Sequence, residues 1–197
     1  MKGNVLRAPD YLLAAILLVP AMAPAATSAK CVAGKPTAAS YTWNFSAEAQ
    51  QLLEGLRADA VSFHDQADHL QSLANFSNVS WQAHEDDLAR MKTKLNDMGQ
   101  KLCRLETIRR VVSPWERKAI DRAVSSIVLL KDNTEDAINY LNAHEGQTWV
   151  PEYQKYTDNL YKLSGRLANS MKEYIQYAKV NREDVQLQKE LGMRKGS

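Results

Sequence analysis

The sequence predicts an all-α protein: an antiparallel, up-down-up-down bundle of four long helices that follows an N-terminal signal peptide. Three observations carry this expectation. From Ser46 onward, apolar residues recur at alternating three- and four-residue spacing, the signature of amphipathic helices. Turn and capping residues interrupt the pattern only briefly, around Asn78, Ser113 and Gly146. The first three segments so divided are similar in length, each about 30 residues or roughly 45 Å at 1.5 Å per residue. Short turns force neighbouring helices to run antiparallel, and the chain has no long crossover of the kind cytokine bundles need.

The N-terminus reads as a targeting segment. Lys2 and Arg7 supply a basic start, Tyr11 to Val19 an apolar run, and Pro20 to Ala29 a stretch of small residues. Residues 1–29 are therefore expected to be a signal peptide, cleaved after Ala25 or Ala29. The apolar run is too short to cross a hydrocarbon layer of about 30 Å, so no transmembrane segment is expected in the mature chain. Residues 30–45 form an extended leader, 46–191 the bundle, and 192–197 a tail expected to be disordered.

Helix one is placed at 46–75. Ala49, Leu56, Phe63 and Leu70 form one apolar row and Leu53, Ala60, Ala67 and Ala74 the other, the a and d positions of a heptad. Ser80 is the expected N-cap of helix two, placed at 80–111 with rows Trp81, Leu88, Leu95, Leu102 and His84, Met91, Met98, Leu105. Helix three, at 114–145, carries the clearest start signal. Ser113 caps, Pro114 suits the first helical position, and Glu116 completes a capping box. Its apolar positions are Ile120, Ala123, Ile127, Leu130, Ala137, Ile138 and Leu141, and Gly146 suits the left-handed exit. Helix four, at 149–191, runs through Tyr153, Leu160, Leu167, Met171 and Tyr174 and overhangs its neighbours. Met91, Met98 and Met171 read as core fillers. Asn44, Asn75 and Asn78 each open an Asn-x-Ser triplet, and all three read as turn or cap residues.

Charge narrows the function classes. Removing Lys2, Arg7 and Asp10 from 25 basic and 23 acidic residues leaves an excess of one positive charge, too little to argue for nucleic acid as a partner. The expected topology nevertheless sorts the charges. Carboxylates outnumber bases near the turns at Asn78 and Gly146. Bases gather around the second hairpin as Arg104, Arg109, Arg110, Arg117, Lys118 and Arg122. That cluster marks a docking face for an anionic envelope surface or an acidic protein, with a solvated hairpin counter-charged by Glu106, Glu116 and Asp121 as the plainer reading.

At the opposite end the expected register brings His84 and His144 together as core residues, with His69 nearby. Such a set could hold zinc or copper. The spacing is unlike known helical metal sites, having no His-x-x-x-His and no Glu-x-x-His. Haem attachment lacks its Cys-x-x-Cys-His motif, and no cofactor is expected. The two cysteines, Cys31 in the leader and Cys103 on helix two, fall near the same end and are expected to form a disulfide, which an exported protein permits. No Gly-rich phosphate loop and no Gly-x-Ser-x-Gly turn is present. The expectation is a non-enzymatic, exported protein of the periplasm or cell exterior, acting by binding or structural support. The alternatives are a metal-binding bundle through His69, His84 and His144, and a self-associating, coiled-coil-like envelope protein that pairs through Val180, Leu187 and Leu191.

Overall fold

The computed structural model describes residues 45–192. Among them every regular element is helical: α1 (Phe45–Leu73), α2 (Trp81–Ile108), α3 (Pro114–Ala143) and α4 (Pro151–Glu190). Each helix packs on two others, α1 and α3 both lying against α2 and α4. The α1–α4 pairing is the most extensive, and α1 meets α3 only marginally. Four helices thus surround one apolar core. None of them is long and apolar enough to cross a membrane. The expected signal peptide lies outside the described residues, as do the leader up to residue 44 and the tail from residue 193.

The heptad rows are the core. All eight apolar positions assigned to the first helix are buried, from Ala49 to Ala74. On α2 the rows hold except at Trp81 and Leu102, which are half-buried at the margin. The small residues of α1 alternate with Leu56, Phe63 and Leu70, so a neighbouring helix can approach closely where alanine faces it. Among the buried hydroxyls, three belong to threonine and serine side chains inside α3 and α4. Thr134 donates to the Leu130 carbonyl at 2.7 Å, Thr157 to Gln154 at 3.0 Å, and Ser164 to Leu160 at 2.7 Å. Each is satisfied within its own helix, which is why it can occupy a dry position.

The helix ends lie within three residues of the expected bounds, with α3 starting at Pro114, and several of the differences have a local reason. After Leu73 and Ile108 the backbone tightens to three-residue spacing, with Phe76 N–H on Leu73 and Val111 N–H on Ile108. α3 stops at Ala143 because His144 leaves helical geometry at φ −136°, ψ 50°. Gly146 then takes φ 81°, a conformation open to glycine without steric cost. α4 begins at Pro151, whose fixed φ suits the first helical position. Ser80 occupies the N-cap position of α2, yet its side chain makes no capping bond.

Candidate functional site

The α2–α3 hairpin is built around one buried carboxylate. Ser113 caps α3 by accepting from the Glu116 N–H, and Glu116 Oε2 accepts from the Ser113 N–H at 2.7 Å and the Ser113 hydroxyl at 2.6 Å. The other oxygen, Oε1, accepts from the Ser46 hydroxyl at 2.5 Å. Glu116 is 0% exposed, so its charge is spent holding the first turn of α3 to the first turn of α1. It is not the surface counter-charge that the sequence alone had offered to the neighbouring arginines.

Two of the six basic residues are neutralised. Arg104 grips Glu48 of α1 through two nitrogens, and this hydrogen bonding raises its pKa further. Arg109 reaches Asp121 across the hairpin, Nη2 lying 2.7 Å from the carboxylate. Arg110, Arg117, Lys118 and Arg122 are exposed and make no ion pair among the described residues. With Glu116 buried and Asp121 and Glu48 engaged by Arg109 and Arg104, four cations face water beside Glu106, an exposed acid that pairs with none of them among the described residues.

α4 adds to this region. Tyr177 sets its ring edge-to-face against Trp115 of α3 at 6.2 Å and is 52% exposed. Ala178 is the last buried residue of α4, and from Lys179 to Glu190 the helix is almost wholly exposed. Val180, Val185, Leu187 and Leu191 are all more than half exposed there.

The histidines are distributed differently from the expected cluster. His84 is 0% exposed. Its ring meets Tyr153 edge-on at 5.3 Å, and neither of its nitrogens has a hydrogen-bond partner among the described residues. Burial pushes its pKa down; the Asp87 carboxylate opposes the shift and His69 adds to it. The Tyr153 hydroxyl is likewise buried without a partner, and burial drives its pKa upward, with Asp87 contributing. His69 lies outside this pocket, Nδ1 at 2.6 Å from Asp87, a carboxylate only 2% exposed that Arg90 also binds. His64 packs across to α4. Its Nδ1 lies 3.1 Å from the Tyr161 carbonyl, and its ring occupies space left open by Gly165.

His144 does not reach the core. Having left the helix, it lies exposed and stacked on Tyr140 at 4.3 Å, its Nδ1 at 3.1 Å from the Tyr140 carbonyl. The three histidines weighed as a metal set are thus divided: one enclosed, one on a buried aspartate, one in solvent. Among the described residues no three His, Cys, Asp or Glu side chains converge to hold an ion.

Cys103 is half-buried on α2. Cys31 lies outside the described residues, and the expected bridge with it. Comparison with family models, with curated proteins and with solved structures finds no match to this chain.

Proposed function

We propose that this protein is an exported, non-enzymatic bundle of antiparallel up-down-up-down order that works by docking its basic hairpin on an anionic component of the cell envelope. The observation that carries the reading is the set of four exposed cations, Arg110, Arg117, Lys118 and Arg122, that make no ion pair among the described residues, Glu116 being withdrawn into the interior. Clustered charge of one sign steers and holds an oppositely charged partner. The antiparallel order draws support from which residues pair. Glu48, early in α1, meets Arg104, late in α2, and Asp59, at the midpoint of α1, meets Lys101 one turn earlier in α2, whereas His69, late in α1, meets Asp87, early in α2. Gln71 and Ala74, at the end of α1, meet Asp158 and Gln154 near the start of α4.

Co-sedimentation of the purified protein with native envelope material tests the proposal. Binding at low ionic strength, released as salt rises and abolished by reversing the four charges to glutamate, is the expected result. Binding indifferent to both salt and charge reversal would sink it. Self-association is a second reading, favoured by the exposed Val180, Leu187 and Leu191 of the α4 overhang. Sedimentation velocity at two concentrations distinguishes it, since a monomer shows no concentration dependence.

A further inference from the structure

Helical spacing turns two stripes of the sequence toward each other. Trp115, Lys118 and Arg122 recur at three- and four-residue intervals on α3, as do Ser170, Glu173, Tyr174 and Tyr177 on α4. Together they line an open groove of about 740 Å³. Lys118 and Arg122 stand about 6 Å apart along their helix, one turn, and neither has an ion-pair partner among the described residues. Trp115 also lines a second groove, which runs past Arg182, Val185 and Lys189 along the exposed end of α4. The two grooves therefore share an aromatic wall, and cations lie along both.

We infer that these grooves bind an acidic polysaccharide chain. In this arrangement sugar carboxylates pair with Lys118 and Arg122, ring faces rest on Tyr177 and Trp115, and hydroxyls donate to Glu173. The inference rests on the reading of the basic end as an anion-docking site and names its ligand. Three features select the class. The exposed Tyr177 ring and the half-buried Trp115 beside the cations suit the C–H-rich face of a sugar ring, which gains dispersion contact there. Glu173 among the cations repels a plain polyanion but accepts hydrogen bonds from hydroxyls, so it favours a ligand carrying both negative charge and many O–H donors. Beyond the first groove, α4 continues as an exposed helix from Lys179 to Glu190, roughly 18 Å. That helix lines the second groove, which gives an extended chain a length of surface to run along.

Titration calorimetry on the purified full chain tests this with four probes: galacturonate hexamer, the neutral cellulose hexamer, inorganic polyphosphate, and vesicles of equal parts phosphatidylglycerol and phosphatidylcholine. The galacturonate hexamer should bind about tenfold or more tightly than the neutral one. Tyr177→Ala should weaken that binding by about tenfold, and the Lys118→Glu, Arg122→Glu pair by more. Circular dichroism confirms that each variant folds, and Tyr177→Phe, which keeps the ring, should retain binding. Equal binding of the neutral hexamer would overturn the proposal. So would tighter binding of vesicles or polyphosphate that Arg110→Glu, Arg117→Glu weakens and Tyr177→Ala leaves unchanged; that outcome would preserve the anion-docking reading. Failure of every anionic probe would remove both.

Discussion

Replacing Glu116 by alanine should loosen the α2–α3 hairpin and the first turn of α1 together. Three donors converge on this carboxylate: the Ser46 hydroxyl, the Ser113 hydroxyl and the Ser113 N–H. A hydrogen bond to a charged group contributes about 1.5–3 kcal/mol, and a donor left buried without a partner costs about 1–3 kcal/mol. These figures overlap rather than add, because the Ser113 hydroxyl can still accept from the backbone N–H at position 116 and part of the cap survives. The net loss should be roughly 2–4 kcal/mol, which for a chain of this size lowers Tm by roughly 5–15 °C. Glu116→Gln should fall between wild type and alanine, since its amide nitrogen faces a donor in place of an acceptor. Urea unfolding followed by circular dichroism measures the change, with Glu106→Ala on the exposed hairpin surface as a control expected within about 0.5 kcal/mol of wild type. A Glu116→Ala midpoint matching that of Glu106→Ala, with unchanged slope, would refute the reasoning.

Acid should destabilise the protein through His84. Its folded pKa lies below the ordinary value of 6.5, so the stability gained by burying a neutral ring is complete above that pH and is lost as pH falls toward the folded pKa. His84→Leu should reduce the fall in Tm between neutral and mildly acidic pH; an unchanged slope would assign that sensitivity elsewhere. Tyr153→Phe removes a buried hydroxyl that has no partner and should leave stability equal or higher by up to about 1 kcal/mol; a loss beyond that would mean the hydroxyl is hydrogen-bonded. Asp87→Ala strips His69 and Arg90 of their shared partner and should cost about 1–3 kcal/mol in thermal or urea unfolding, more than Asp132→Ala on the surface. The export and bridge readings predict that mass spectrometry without reduction, on protein from its native compartment, gives a chain beginning after Ala25 or Ala29, with no thiol free to alkylate at Cys31 or Cys103. Recovery of Met1, or of two alkylated cysteines, would contradict the export and bridge readings respectively.

The seam of the bundle could be read from sequence because burial in a helix repeats with the heptad, and Ala49 through Ala74 obey it without exception. Positions governed by hydrogen bonding rather than hydropathy were not legible. Thr157, Ser164 and Thr134 are dry because each hydroxyl turns back on its own helix. Asp87 is dry because His69 and Arg90 come to it from the rim. Glu116 could be recognised as half of a capping box, but its withdrawal from the surface depends on Ser46, seventy residues away. His144 lies outside the core, against its heptad position, because the heptad count runs on past the residue where the helix ends. The Trp115–Tyr177 groove is not legible in the sequence for a related reason. Its two stripes are ordinary surface residues until the faces that α3 and α4 turn toward each other are known.

Separation of the basic hairpin from the histidine-bearing end rests on the proposed antiparallel order of the four helices. Spin labels at Asn78 and Gln147, both exposed and in different turns, measure that order by dipolar spectroscopy. Up-down-up-down packing predicts a separation within roughly 20 Å, about two interaxial spacings. A separation near the full helix length, roughly 45 Å, would contradict it.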